Sequence, residues 1–383
     1  MRAMKKIFFF LLFLFFLPGL NKTAHASEEP LTDSAQESLL DSIDLQEIED
    51  TLRELSAVES FSFRDAVASF LKGETPFTLE EIGLLCRKLL FSELSRQKQL
   101  AFQVILLVIA SAVFSNFVKI FENSQIADIG FYMIYLLIST LLLQAFVSMN
   151  EIVGEAFSAL LSFMKVLLPS YLLTIVFSSG TVAALGFYEA TLFGMFLLET
   201  AMMKIMIPAV NYYLVLLILN QLSKEDYFSK LAELLELLIS WGIKTVMGVV
   251  IGLQTVQCLI APAVDSMQNS VLHRLAKSIP GIGNAFDAVS ETVTGSAVIL
   301  KNAVGVAGML AVLAICLLPV LKLLVSVLLF RFLCAVIQPV CEKRMVECIG
   351  SISRGSYLLM KILLSGVAVF LISLAMITAA LKG

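Results

Sequence analysis

The residues that could carry chemistry in this chain are ionisable side chains set inside long apolar runs. Glu189 lies in the middle of FYEATLF, Lys165 lies in SFMKVLLPS, and Lys322 lies in LLPVLKLLV. The full set of such positions is Lys165, Glu189, Glu199, Lys204, Lys244 and Lys322. A charge inside an apolar segment is costly, and it therefore indicates an ion path or a coupling site. We take Glu189, Lys165, Lys244 and Lys322 as the candidate intramembrane residues. The structural alternative is a satisfied ion pair, or a lysine that reaches the membrane surface.

Motifs of enzyme chemistry are missing from the sequence. It contains two histidines, His25 and His273, which excludes a zinc site built from several histidines and an H-E-x-x-H protease. Neither a G-x-x-x-x-G-K-[ST] phosphate loop nor a G-x-S-x-G elbow occurs. The six cysteines form no C-x-x-C pair, and we interpret them as small apolar fillers. We therefore expect no enzymatic activity, no cofactor and no metal site.

Composition places the chain among integral membrane proteins. Of its 383 residues, 58% are hydrophobic and 15% are charged, and the mean hydropathy is +0.90. The formal net charge of -4 gives no basic surface for nucleic acid. We expect an all-α, polytopic helical membrane protein with about seven to eight transmembrane helices.

The N-terminal part is typical of an export signal followed by a soluble region. Residues 1–26 have a charged start, an apolar run and the A-x-A site Ala24-His25-Ala26, which together indicate a cleaved signal peptide. An uncleaved membrane anchor is the alternative. Residues 27–98 are then an extracytoplasmic, acidic helical region, whose third helix is predicted to start at the capping box Thr78-x-x-Glu81. This region either packs on its own membrane domain or binds a partner.

Hydrophobic segments follow, and most reach the roughly 20 residues that span a bilayer. About six of them fall in the first membrane part, residues 99–257, and two in the C-terminal membrane part, residues 303–383. The eight segments are 100–117, 130–148, 157–177, 182–203, 205–220, 237–257, 303–328 and 358–381. Segment 205–220 is short and contains Pro208, so a half-span is the alternative there. The basic residues Arg331, Lys343, Arg344 and Arg354 predict that the loop before the last segment is cytoplasmic.

Residues 258–302 interrupt the apolar second half with an amphipathic pattern. Apolar residues recur at helical spacing from Val264 to Leu275, the sequence PGIG at 280–283 breaks the pattern, and a second amphipathic run ends near Gly295. We interpret this stretch as a helical hairpin at the membrane surface, with an ordinary polar loop as the alternative. The small residues that follow, Ala303, Ala307, Ala311, Ala314, Gly305 and Gly308, predict a helix-packing seam.

The same stretch carries a family resemblance. The sequences IAPAV, IPGIGNA and VTGSAVILKNAVGVAGM, in this order, resemble the stage III sporulation protein AE family of endospore-forming bacteria. KNAVGVAG is the specific part of the resemblance, which extends over nearly the whole chain. The family motif falls on Pro280, Gly281, Gly283, Gly295, Lys301, Asn302, Gly305 and Gly308. The resemblance implies that these residues shape the hairpin and the following helix, and it assigns them no catalytic role.

The resemblance also implies a function. It points to an integral membrane component of the channel or secretion-like complex that links mother cell and forespore and is required for forespore development and spore formation. The implied location is the mother-cell membrane around the forespore. The implied partners are the other stage III sporulation operon proteins, among them a secretion-type ATPase and ring-forming proteins, together with a forespore membrane protein, and an oligomer within the complex is expected. An independent secondary transporter with its site near Glu189, or a passive membrane scaffold, is the alternative.

Overall fold

The computed structural model describes residues 46–55, 61–72, 79–120, 124–179, 183–223, 226–276 and 283–380. Within these residues the secondary structure is helical, which confirms the all-α prediction. The signal peptide predicted at residues 1–26 lies outside them. The elements are α1 Gln46–Leu55, α2 Phe63–Leu71, α3 Leu79–Ile120, α4 Ser124–Ser179, α5 Ala183–Ala201, a π-helical segment Met202–Met206, α6 Ile207–Leu222, α7 Ser229–Ala276, α8 Gly283–Ile337 and α9 Lys343–Ala380.

Six helical stretches in the described part of the chain are long and apolar enough to cross a membrane. They are Gly83–Phe114, Ile129–Leu172, Glu189–Leu222, Ser229–Ile260, Ile299–Ile337 and Lys343–Thr378. The polytopic prediction is confirmed, but the predicted segments merge in two places. Segments 130–148 and 157–177 form one helix, α4, because the polar stretch between them holds no proline. Its Asn150 Nδ2 donates a hydrogen bond to Asn211 Oδ1 of α6 at 2.7 Å.

The second merger joins α5 to α6 through the π-helical segment that precedes Pro208. Proline has no N–H, and its ring clashes with the carbonyl four residues back. The wider π-turn relieves this clash, and Ile207 N donates to Met202 O, five residues back. The half-span considered for residues 205–220 is therefore the second half of one continuous span.

α9 is the central helix of the bundle and packs against α4, α6, α7 and α8. α4 runs parallel to it, from Ser139 Oγ at 3.6 Å from Cys348 Sγ to Tyr171 Oη at 2.7 Å from Thr378 Oγ1. α8 runs in the opposite direction, so that Ser353 Oγ of α9 donates to Val327 O of α8 at 3.3 Å. α9 is therefore surrounded both by its neighbour in sequence, α8, and by α4, α6 and α7 from earlier parts of the chain.

One end of the bundle gathers the end of α6 and the starts of α7 and α9. These three ends line an open polar pocket of about 400 Å³, whose residues include Tyr213, Asn220, Glu236, Lys343 and Arg354. This end carries the basic residues that predict a cytoplasmic location.

The N-terminal helices pack on the chain's own membrane domain, which was one of the two expected possibilities. α1 packs on α4 and α2 on α8, and Ile48, Leu52 and Phe63 are wholly buried. The Glu49 carboxylate joins the two helices, because it accepts hydrogen bonds from Phe63 N at 2.6 Å and Arg64 N at 3.3 Å. It thereby satisfies N–H groups that the start of a helix leaves without intrahelical partners.

Two predicted boundaries differ in the structure. α3 begins at Leu79 and continues to Ile120, so the last helix of the soluble region and the first span are a single helix. Thr78 of the predicted capping box lies outside the described residues. α8 begins at Gly283 and passes through Gly295 without ending there. Pro280 and Gly281 lie outside the described residues, and the amphipathic hairpin stays a prediction.

Candidate functional site

Gly305 of α8 lies beneath a hydrogen bond between its two neighbouring helices. Tyr171 Oη of α4 is 2.7 Å from Thr378 Oγ1 of α9. A Cβ atom at position 305 would lie 2.6 Å from Thr378 Oγ1 and 2.8 Å from Tyr171 Oη. Such distances are well inside the optimal separation of non-bonded atoms. Glycine at this position therefore lets α8 pack against α4 and α9 while these two helices keep their bond.

Gly308, one turn further along α8, makes a similar close approach. A Cβ atom there would lie 2.8 Å from Leu167 Cδ2 of α4. Ala303, Ala307 and Ala311 of the same helix are buried. Small residues let helix backbones come close in a membrane, and the predicted packing seam is therefore confirmed.

α4 also inserts two phenylalanine rings against glycines of α9. Phe157 fills the place that a Cβ atom of Gly366 would take, and Phe146 Cε2 would lie 2.9 Å from a Cβ atom of Gly355. Both rings are buried. The seam therefore also runs between α4 and α9, and sequence reasoning missed this part because α9 carries no continuous stripe of small residues.

Lys301 stands at the start of the seam and is wholly buried. It interacts with neighbouring groups, as a buried ammonium group must. Asn302, the next motif residue, is half-buried. The family-motif residues of α8 that the structure describes in detail therefore hold this helix inside the bundle.

The four predicted intramembrane residues do not gather in one interior site. Glu189, Lys165 and Lys244 have exposed side chains, and Lys322 is half-buried. Lys165 interacts electrostatically with Glu199 of α5. The charges therefore lie largely on the outer surface of the bundle.

Lys165 belongs to an exposed polar stripe along α4. Its members recur at three- and four-residue intervals, which places them on one face of the helix. The stripe consists of Glu151, Glu155, Ser158, Ser162 and Lys165, all of them exposed. The spacing was present in the sequence, but the division of α4 into two segments concealed it.

Buried amide side chains place polar groups inside the bundle. Ser373 Oγ of α9 donates to Gln254 Oε1 of α7 at 2.9 Å. Gln254 Nε2 and Asn150 Oδ1 are buried and have no hydrogen-bond partner within the described part of the chain. A buried polar group left in this state costs about 1–3 kcal/mol.

A cluster of cations around Tyr357 was not among the predicted sites. Lys361 Nζ lies 4.7 Å from the centre of the Tyr357 ring, and Arg331 Cζ lies 5.7 Å from the same ring centre. Lys361 sits in LLMKILLS, so the rule that identified Lys322 could have identified it. Lys361 comes close to Arg331 only because α8 packs on α9.

The cysteines serve helix packing. All six are free thiols. Cys334, Cys341 and Cys348 contact Val346 O at 3.6 Å, Val108 O at 3.7 Å and Ser139 Oγ at 3.6 Å. Among the residues that the structure describes, no three His, Cys, Asp or Glu side chains come together as a possible metal site.

These features define an all-α polytopic membrane protein whose central helix is held in a seam of glycines and aromatic rings. The family model for stage III sporulation protein AE (spore_III_AE) matches residues 61–380, a range that contains the whole seam. The chain belongs to this family.

A curated relative supports the assignment. Stage III sporulation protein AE of Bacillus subtilis (strain 168) is 24% identical to this chain over 336 residues, which cover 86% of this chain and 83% of that protein. No solved structure matches the chain. The family assignment and the apolar helices together identify the chain as a membrane protein of sporulation.

Proposed function

We propose that the chain is a membrane component of the channel or secretion-like complex that links mother cell and forespore during sporulation. In this role it sits in the mother-cell membrane around the forespore as one of several assembled subunits. Its partners are other stage III sporulation operon proteins, including a secretion-type ATPase and ring-forming proteins, and a forespore membrane protein.

The polar stripe of α4 is the observation that carries this proposal. Glu151, Glu155, Ser158, Ser162 and Lys165 are exposed within one of the long, predominantly apolar spans. A charged side chain at the centre of a lipid bilayer costs about 2.5–3.5 kcal/mol on insertion scales. Such a stripe is stable where it faces water or another protein, and both are available in a channel built from several subunits.

The length of α4 supports the same conclusion. Its apolar stretch Ile129–Leu172 has 44 residues. Even at a steep tilt of about 40°, a helix crosses about 30 Å of hydrocarbon with about 26 residues. The remaining apolar length extends beyond the lipid, where partner proteins would cover exposed side chains such as Ile129 and Met133.

The transporter alternative receives less support. It places a binding site near Glu189, inside the bundle and beside the helix breaks at Pro169 and Pro208. Glu189 is exposed at the beginning of its span, and α4 continues through Pro169. These positions favour a subunit of an assembly over a transporter with its own enclosed site.

Cysteine accessibility along α4 tests the proposal. Cysteine-free protein is expressed in sporulating cells with single cysteines at Ser158 or Ser162 on the stripe. Matched cysteines at Leu137 and Val147 probe exposed apolar positions of the same helix. We expect a charged, water-soluble thiol reagent to modify the stripe positions at least tenfold faster and to reduce spore yield when it does so.

Equal, slow modification of all four positions would show that the stripe faces lipid. This result would contradict the channel proposal. The proposal also fails if the wild-type chain, extracted from sporulating cells in mild detergent, migrates as a single chain without other stage III proteins. Rapid modification without any effect on spore yield would favour the passive scaffold.

A further inference from the structure

The polar stripe of α4 continues beyond the five residues described above. Thr140, Gln144 and Ser148 are exposed as well, and they precede Glu151 at the same three- and four-residue intervals. Eight exposed polar residues therefore form one line at the period of an α-helix. We call this line the extended stripe, and it consists of Thr140, Gln144, Ser148, Glu151, Glu155, Ser158, Ser162 and Lys165.

The extended stripe is at least as long as a membrane is thick. At 1.5 Å per residue, its path along α4 from Thr140 to Lys165 is about 38 Å, and the hydrocarbon core of a bilayer is about 30 Å thick. Neighbouring members of the line are never more than four residues apart. A polar solute that moves along α4 thus meets a polar side chain at each turn of the helix.

The extended stripe points away from the centre of the bundle. Phe146 and Phe157 of α4 fill the space beside glycines of α9. Gln144 and Ser148 lie two residues on either side of Phe146. Glu155 likewise precedes Phe157 by two residues, a rotation of about 200° around the helix. The stripe therefore faces the surroundings of the described bundle.

α7, in contrast, has the surface that contact with lipid requires. Its exposed large side chains include Leu234, Leu237, Trp241, Val249 and Val256, which are all apolar. Such side chains suit hydrocarbon, whereas a carboxylate in hydrocarbon is costly. Lipid is therefore a suitable neighbour for α7 but not for the extended stripe.

Glu151 and Glu155 give the extended stripe its negative charge. Neither carboxylate forms an ion pair within the described part of the chain. The ammonium group of the stripe, Lys165, instead interacts electrostatically with Glu199 of α5. Lys204 of the π-helical segment is also exposed, and it pairs with neither carboxylate of the stripe. Glu151 and Glu155 are therefore available to attract a cation.

Symmetry decides between water and direct packing of two stripes. Copies of one chain in the same membrane share one orientation, and a closed assembly relates them by an axis along the membrane normal. Identical residues then stand at the same depth, so that Glu151 of one copy would meet Glu151 of the next if two stripes packed together. Like charges repel each other strongly outside water. Around a water-filled opening the same carboxylates are hydrated and lie apart.

We propose that one α4 helix from each of several copies lines a water-filled opening, and that the carboxylates of Glu151 and Glu155 make this opening selective for cations. Hydrated cations pass and anions are repelled, as in pores that are lined by rings of acidic side chains. The opening rests on the proposed function, because it requires an assembly of several subunits. In this arrangement α4 is the wall of the conduit, and its cargo is neutral or positively charged.

Ion selectivity of the reconstituted assembly tests this proposal. The chain is extracted from sporulating cells in mild detergent together with its bound stage III proteins, and the assembly is inserted into planar bilayers that separate a high from a low KCl concentration. The reversal potential gives the permeability ratio of K⁺ to Cl⁻. We expect a ratio of about ten, the low end of the enrichment that a cleft lined by one sign of charge produces.

Charge variants of the stripe should change this ratio in a graded way. Glu151→Gln/Glu155→Gln should remove the preference for K⁺, and Glu151→Lys/Glu155→Lys should reverse it in favour of Cl⁻. Both side chains are exposed, so that neither change disturbs the core. Glu47→Gln/Glu54→Gln is the matched control, because it removes two exposed carboxylates of α1 and should leave the ratio unchanged.

Three results would overturn the proposal while the assembly remains intact. One is the absence of any ion conductance, since the stripe would then be covered by a partner protein. Another is the same permeability ratio in the wild-type chain and in both stripe variants. The third is an equal change in the α1 control variant. If the chain instead migrates alone, without other stage III proteins, the proposed function fails as well.

Discussion

The hydroxyl groups of Tyr171 and Thr378 lie 2.7 Å apart and join α4 to α9 directly above Gly305 of α8. α4, which is distant in sequence, thus meets α8 and α9 at a point where one hydrogen bond lies over one missing side chain. Gly305 of the family motif leaves the space that Tyr171 and Thr378 occupy, and Gly308 leaves the space that Leu167 occupies.

Gly305→Ala should destabilise the purified chain by about 1–3 kcal/mol, because its methyl group would push apart a close-packed contact. The midpoint of thermal unfolding in detergent measures the loss. Gly252→Ala is the matched control, since its methyl group enters open space and replaces glycine by a better helix former. Equal midpoints for the two variants would show that the seam is looser than described.

Glu49→Ala should release the start of α2 from α1, because the N–H groups of Phe63 and Arg64 lose their carboxylate acceptor. We expect a cost of about 1 kcal/mol, as for other caps. Hydrogen–deuterium exchange over residues 46–72 measures the release. Glu54→Ala, which changes an exposed carboxylate of the same helix, should leave the exchange unaltered. Identical exchange in both variants would contradict the role of Glu49.

Glu189→Gln should leave protein abundance and spore yield near wild-type values, because the side chain is exposed at the start of its span. The measurement is spore yield in a strain that depends on this chain, with immunoblotting of the membrane fraction. A loss of spores at normal abundance would instead restore the transporter, or a proton-coupled gate, as the better explanation.

Cysteines at two exposed positions should report opposite sides of the membrane. In a cysteine-free background, Glu54→Cys on α1 should react with an impermeant reagent in intact cells, and Glu342→Cys between α8 and α9 should react only after lysis. The basic residues near Glu342 are the physical reason. Reaction of Glu342→Cys in intact cells would invert the predicted orientation.

Cys341, in the connection between α8 and α9, should alkylate slowly at pH 8. Burial raises the pKa of its thiol, and a backbone hydrogen bond involving Glu342 lowers it only in part. Because the thiolate is the reactive form, a raised pKa reduces the reactive fraction at a given pH. In a variant that keeps only Cys341, the alkylation rate should rise at a higher pH than in the unfolded chain. Coincident pH profiles would exclude the shift.

The sequence located every apolar stretch but could not say which stretches were continuous. Hydropathy separates 130–148 from 157–177 at a polar interval, yet α4 passes through it, and Asn150 within the interval bonds to Asn211 on another helix. The helix break considered at Pro208 does not occur, because a π-turn precedes the proline. The local sequence pattern reveals neither the Asn211 partner nor the π-turn.

By itself, the sequence determined the class of protein and its family, because composition, apolar periodicity and the motif KNAVGVAG are properties of the chain in order. It also determined the packing seam of α8, since small residues at helical spacing admit a close neighbour whatever that neighbour is. Only the tertiary structure decided which residues meet there. Tyr171 and Thr378 become partners because α4 packs parallel to α9. Arg331 and Tyr357 become partners because α8 packs antiparallel to α9. The same packing decides that Glu189 and Lys165 face outwards, because burial is a property of neighbours and not of residue type.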